Sequence, residues 1–148
     1  MALLPQDAQD RIVSRLQQYQ DALAEAERQS LARFEEAFAS APQGVAVHEF
    51  DNDGVIRRVN TEEMALLGYP ADQLLGKHIW EIVVMQDVSR ESVQKKLAGA
   101  KDIKPFVRTF RKADGSGTAM ILVDRRLYDG QGQMCGIRTA MASISQQD

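Results

Sequence analysis

Two histidines, one cysteine and a short acidic run are the side chains of this 148-residue chain whose types could do chemistry: His48, His78, Cys135 and Asp51-Asn52-Asp53. Imidazole can move protons or bind a metal near neutral pH, a thiolate can act as a nucleophile, and clustered carboxylates can hold a hard cation. The spacing assembles none of the constellations that use them. No Ser/His/Asp set stands in recognisable context, and there is no phosphate-cradling P-loop, no dinucleotide-binding glycine fingerprint and no HExxH helix. The chain reads as not an enzyme. The lone cysteine excludes an internal disulfide and any multi-cysteine metal site, and it is compatible with a reducing cytosol. Asp51-Asn52-Asp53 precedes Gly54 between two apolar runs, where such residues are needed to form a hairpin turn. His78, in "GKHIWE", sits beside a Gly-Lys turn and reads as a surface residue. That leaves His48 in "VAVHEF", where strand alternation puts Ala46, His48 and Phe50 on one face and Val47 and Glu49 on the other.

The totals narrow the setting. A net charge of −3 and a pI near 5.4 provide no basic face for nucleic acid. No stretch approaches the ~20 apolar residues of a membrane span, and "MALLPQDAQD" lacks the basic start of a signal peptide. The expectation is a cytoplasmic chain with no membrane contact of its own, which can also be a piece of a longer membrane-bound receptor.

The elements that must position these residues follow from pattern. Residues 6–40 contain no Gly or Pro and are rich in helix formers; as one helix they would reach about 50 Å. Ile12, Leu16, Tyr19, Leu23 and Ala26 step by 4, 3, 4 and 3, the seam spacing of a coiled coil. The frame then slips by one residue to Leu31, Phe34 and Phe38, rotating the stripe by about 100°. The first half is expected to pair with another helix, as in a homodimer, and the second to dock on its own domain; the alternative is an amphipathic helix lying on the domain surface. "APQG" ends this segment, dividing the chain into an N-terminal helix (1–40) and a folded domain (41–148). "VAVHEF" and "VIRRVN" flank "DNDG" as a hairpin. In "NTEEMALLGYPADQLLGK", Asn60 and Glu63 read as a capping box, Gly68 as the end of that helix, and Pro70 and Gly76 as the two ends of another. Each helix has about two turns, too few to stand alone. "HIWEIVV" is a further short apolar segment, and "DVSRESVQKKLAGAKD" a fuller helix carrying Val88, Val93 and Leu97. Three β segments close the chain. The order predicts α+β architecture with an antiparallel sheet.

Alternation in the last strands is informative. "TAMILVDRR" places Met120, Leu122 and Asp124 opposite Ile121, Val123 and Arg125; "CGIRTAMAS" places Cys135, Ile137, Thr139 and Met141 opposite Gly136, Arg138, Ala140 and Ala142. Both faces of the sheet are substantially apolar, so something must cover each of them. The N-terminal helix or a partner chain is the candidate for the second face. Cys135 reads as a small packing residue, and Trp80 and Phe106 as core aromatics.

The chain resembles the PAS family of sensory domains from about Phe34 to Ile144. The resemblance is carried by "RFEEAFASAPQGVAV", "DGVIRRVN", "LLGYPADQLLGK", "DGSG" and "YDGQGQMCGI", in that order and spacing. It implies a five-stranded antiparallel PAS sheet in the order 2-1-5-4-3, with short helices on one face enclosing a cavity. It also implies a sensor or dimerisation module serving a fused or separate effector such as a kinase, cyclase or transcription factor. The family's orientation would turn His48, Phe50, Met120, Leu122, Ile137, Thr139 and Met141 toward the cavity, with Met64, Leu67 and Trp80 among the walls, as candidate ligand-binding residues. Val47, Ile121 and Val123 would join Ile12, Leu16, Tyr19 and Leu23 in a dimer interface. His48 then becomes a ligand contact, a pH-sensitive contact, or a histidine bonded to a neighbour such as Thr139. Haem-binding members commonly use a His on the longest helix; residues 88–100 hold no His, Cys or Met, which argues against haem. Flavin photoreceptors of the light-oxygen-voltage branch need a Cys on the small helices; residues 60–85 have none, which excludes covalent flavin chemistry. Ser143-Ile144-Ser145 stands where such domains often carry Asp-Ile-Thr before an output helix. The combined expectation is a small-molecule-sensing and dimerisation module that signals through its N-terminal helix, the alternative being a ligand-free interaction scaffold.

Overall fold

Ser30 breaks the long run of helix formers. In the computed structural model, which describes residues 2–99 and 102–146, its backbone is extended (φ −172°, ψ 158°) and its Oγ accepts a hydrogen bond from Arg33 N at 3.1 Å, an N-cap inside what the sequence presents as one helix. The segment therefore divides into α1 (Gln6–Gln29) and α2 (Leu31–Ala39). α2 lies against α1, and the Tyr19 hydroxyl donates to Ala37 O at 2.5 Å. The one-residue slip in the apolar frame marks this break.

The rest of the chain forms β1 (Ala46–Phe50), β2 (Ile56–Val59), α3 (Thr61–Leu67), α4 (Ala71–Leu74), a 3-10 helix (Ile79–Ile82), α5 (Gln86–Leu97), β3 (Phe106–Arg111), β4 (Gly117–Tyr128) and β5 (Met134–Ser143). The strands make one antiparallel sheet in the order β2-β1-β5-β4-β3. Asp51 Oδ1 accepts from the backbone N–H groups of Asp53 and Val55, which sets the β1–β2 turn. Gly68 closes α3 in the left-handed conformation (φ 81°). Pro70 stands as the cap of α4, one position outside the helix it was expected to open.

Each sheet face has its own apolar cluster. On the inner face Phe50, Ile137, Met120 and Met141 pack with Leu67, Leu74, Ile79 and Ile82 from the short helices. On the outer face Val47, Ile121, Val123, Ala140 and Ile144 pack under Leu16, Tyr19 and Leu23 of α1 and Phe34 and Phe38 of α2, with Ile12 at the margin. This corrects the expected seam. Leu16, Tyr19 and Leu23 are buried against the chain's own sheet, and Val47, Ile121 and Val123 are covered by the same helices rather than by a second chain. The break at Ser30 brings both apolar sets onto one surface, which satisfies the stripe within the chain. Gln20, buried amid that stripe, donates from Nε2 to Val123 O (3.0 Å) and Arg138 O (2.8 Å), tying α1 to β4 and β5.

Cys135 differs from its expected place as well. The β4–β5 register shifts at Leu127/Tyr128, so β5 carries an extra residue there, and Cys135 is exposed rather than packed. Gly136 next to it (φ 153°) passes so close to β1 that a Cβ would lie 2.1 Å from Phe50 O.

If Leu23 is a core residue of the single chain, Leu23→Ala lowers the free energy of unfolding in urea by about 2–5 kcal/mol and leaves the sedimentation coefficient unchanged. Dissociation of an oligomer with unchanged monomer stability would instead place Leu23 in an intermolecular seam.

Candidate functional site

The inward face of α5 is polar. Ser89, Ser92 and Lys96 lie at spacings of three and four, hence on one side of the helix, and all three are buried. Val88, expected among the helix's apolar set, is 49% exposed, and Val93 and Leu97 are only half-buried. The cause lies across the gap on β4. Lys96 Nζ is 2.9 Å from Asp124 Oδ2, with side chains only 4% and 2% exposed, and the Thr139 hydroxyl donates to Asp124 Oδ1 at 2.7 Å. A buried carboxylate has to be paired and hydrogen-bonded, and here a cation from the roof and a hydroxyl from the floor serve it. The ammonium also stands 3.4 Å from the centre of the Phe106 ring. Arg126 donates from Nε and Nη2 to Lys96 O, satisfying a carbonyl in the last turn of α5.

A second buried pair ties α3 to β1. His48 Nδ1 is 2.7 Å from Glu63 Oε1, and neither side chain is exposed. Asn60 Oδ1 accepts from Glu63 N and from Val47 N, while Asn60 Nδ2 donates to Val45 O. The expected capping box is therefore half formed: Asn60 caps α3, but the Glu63 carboxylate turns to His48, and Asn60 N donates to Val47 O instead. Thr139, expected as a partner for His48, is engaged by Asp124. Burial pushes the His48 imidazole toward its neutral form. The Glu63 charge and hydrogen bond oppose this, with Asp124 and Glu49 adding, and the net effect raises the pKa above the ordinary 6.5.

Between α5, the 3-10 helix and the sheet lies a cavity of about 30 Å³, lined by His48, Phe50, Trp80, Leu122 and Thr139 from the expected set. The remaining lining includes Ser89, Ser92, Lys96, Phe106, Arg108 and Asp124. Met64, Leu67, Met120, Ile137 and Met141, also expected there, pack into the inner core instead, because the cavity is displaced toward α5. The volume matches one or two waters. Trp80 forms one wall. It stacks on His78 (ring centres 4.6 Å apart) and lies over Gly54, where a Cβ would meet the indole at 2.4 Å. His78 itself is partly exposed and caps the 3-10 helix, with its backbone N–H donating to Glu81 Oε2 at 2.7 Å. Two buried polar atoms of lining residues have no hydrogen-bond partner among the described residues: His48 Nε2 and Ser89 Oγ. Strand alternation had already put Asp124 beside Leu122 on one face. The Ser89/Ser92/Lys96 spacing was the unused signal for its counterpart.

The raised His48 pKa fixes a sign. The folded state holds the proton more tightly, so this contribution to stability is complete below pH 6.5 and is lost as pH rises through the folded-state pKa above it. Unfolding free energy should therefore fall with pH on the alkaline side of 6.5, and His48→Gln should flatten that slope. A wild-type slope that the variant retains would contradict the assignment.

The arrangement has relatives. The PAS fold family model matches residues 38–148. Among solved structures, the PAS domain of an HTR-like protein from Haloarcula marismortui is 29% identical, with a TM-score of 0.62 over 76% of this chain and 96% of that one. A PAS domain from Colwellia psychrerythraea superposes with a TM-score of 0.68 at 19% identity, covering 79% of this chain and 98% of its own. The PAS-B domain of Drosophila melanogaster Cycle, with bound ethylene glycol, gives 0.57 at 14% identity over 66% of this chain and 98% of that one. Comparison with curated proteins found no significant match. The family match over most of the length, with the sheet order and flanking helices described above, means that the chain belongs to the PAS fold family, whose members are signal-sensing and interaction modules.

Proposed function

We propose that the chain senses a small molecule in the cavity beneath α5 and passes the change through the sheet to α1. The observation that carries this reading is the position of Gln20. The carbonyls it binds, Val123 O and Arg138 O, belong to the peptides that lead into Asp124 and Thr139, the hydrogen-bonded pair on the cavity floor. A ligand that draws Lys96 or Thr139 away from Asp124 moves those two peptides, and the helix on the other side of the sheet is bonded directly to them. The ligand can shift the seating of α1 only as far as it binds one seating better than the other. On this reading the module is cytoplasmic and serves a fused or separate effector. A homodimer would be built on surface outside the buried Leu16–Tyr19–Leu23 cluster. Among the described residues no helix is long and apolar enough to cross a membrane.

The small free volume favours a second reading, a ligand-free interaction scaffold in which Phe50, Leu122 and Phe106 already fill the space. Native mass spectrometry and a thermal-shift panel of metabolites separate the two. A retained or stabilising small molecule is the result expected of a sensor, and a clean apo mass with no shift that of a scaffold. For transmission, Gln20→Leu should leave ligand affinity within about two-fold while abolishing the ligand's effect on hydrogen exchange in α1. An undiminished effect would mean the change travels another way.

A further inference from the structure

The β3 edge of the sheet is covered over only half its length. β3 is the last strand in the order β2-β1-β5-β4-β3, and only its second half has a neighbour on the side away from β4. There Val83 bridges Phe110, and Val84 N donates to Thr109 O at 2.9 Å, before the chain turns away into α5. Thr109 thus points its backbone groups away from β4, and in an antiparallel ladder so does Val107, two residues earlier. On that side no strand lies beside Val107 among the described residues, and its carbonyl accepts instead from Arg108 Nη1 at 3.0 Å. A side chain of the same strand stands where the next strand's N–H would be.

The uncovered half opens into an apolar groove. Among the described residues eight large apolar side chains are exposed, and four of them, Val84, Met85, Val88 and Val107, line this one depression between β3 and the start of α5. Its free volume is about 280 Å³, against 30 Å³ for the cavity beneath α5. Exposed apolar groups gathered in this way mark a site of association. β3 brings cations to the same edge and carries no acid of its own, although the chain as a whole has a net charge of −3. Lys104, Arg108 and Arg111 have no carboxylate partner among the described residues, and Arg111 Nη2 donates to Glu81 O. Asp87 and Asp102, the acids nearest the groove in sequence, form no ion pair with them.

We propose that this edge takes an extended, acidic and apolar segment of a partner protein as an added strand beside Phe106–Arg108, in line with Val83–Val84. The segment's backbone replaces Arg108 Nη1 at Val107 O and accepts from Val107 N, while its alternate apolar side chains enter the groove. The Arg108 guanidinium, released from Val107 O, then meets a carboxylate of the segment. A second copy of this chain suits the edge poorly, since β3 laid against β3 would bring the cations of both copies together. A membrane surface suits it poorly as well, because the apolar groups line a depression instead of projecting from a face. Docking here requires no occupant in the cavity beneath α5.

The test titrates the full chain with a short acetylated and amidated peptide of alternating glutamate and valine, and with its lysine-valine counterpart, at matched ionic strength. Binding is followed by calorimetry and by hydrogen exchange of the Val107 amide. The acidic peptide should bind and slow exchange at Val107, and the basic one should bind about ten-fold more weakly or worse. Met85→Glu, at a side chain 63% exposed and outside the core, should weaken the acidic peptide by a similar factor. Arg108→Glu should reverse the preference between the two peptides. Equal binding of both would overturn the acidic partner, and binding without slower exchange at Val107 would overturn strand addition. Binding of neither peptide at millimolar concentration would overturn the site. Self-association abolished by Met85→Glu would assign the groove to a second copy and overturn the proposal. Binding to vesicles of equal phosphatidylserine and phosphatidylcholine that Met85→Glu abolishes, with no peptide binding, would assign it to a membrane and overturn it too.

Discussion

A sheet that is apolar on both faces must be covered twice, and the two covers are made differently. Outside, Leu16, Tyr19 and Leu23 of α1 with Phe34 and Phe38 of α2 form a conventional apolar seat over Val47, Ile121 and Val123. Inside, the cover is assembled from short helices that are marginal in isolation. Apolar contacts hold α3 and α4 there, through Leu67 and Leu74, while α5 presents two serines and a lysine. The outer cover is thus bound mainly by area. The inner one is bound partly by discrete polar ties.

Those ties follow a common design. Each links a wall element to a different strand: His48–Glu63 joins α3 to β1, and Lys96–Asp124 joins α5 to β4, with Thr139 of β5 completing the second. A buried ion pair contributes little beyond what apolar packing of the same volume would supply, but removing one partner is costly because the other is left charged and dry. Such a wall is sensitive to anything that competes for one member of a pair. Gln20 extends this sensitivity across the sheet, since its two acceptors are the carbonyls adjoining Asp124 and Thr139. On the proposed reading, the same few groups hold the wall shut and report on its occupancy.

Much of this was legible in the sequence. The hairpin at Asp51–Gly54, the left-handed stop at Gly68, the two-sided apolar sheet and its strand order follow from local pattern and family resemblance. Two features were not. The stripe of α1 has the spacing of a coiled-coil seam whether it meets a second chain or its own sheet, because periodicity records that a face is buried and not against what. Ser30, a favoured N-cap residue sitting where the frame slips, was the local clue. The polar lining of the cavity was hidden because hydrophobic patterning directs attention to Val88 and Val93, whereas α5 turns Ser89, Ser92 and Lys96 inward. Only the position of Asp124 on the opposite strand explains that choice, and such a pairing is 28 residues distant in sequence.

The central claim is that the cavity floor and α1 are coupled through the sheet. Hydrogen exchange of the α1 amides around Leu16–Leu23 in an Asp124→Asn variant tests it most directly, because the altered carboxylate lies on the inner face, bonded to Lys96 and Thr139. The account predicts faster exchange in this part of α1 than any general loosening, gauged on β2, would give. Changes confined to α5 and its neighbours, with α1 exchanging as in the unaltered protein, would contradict it.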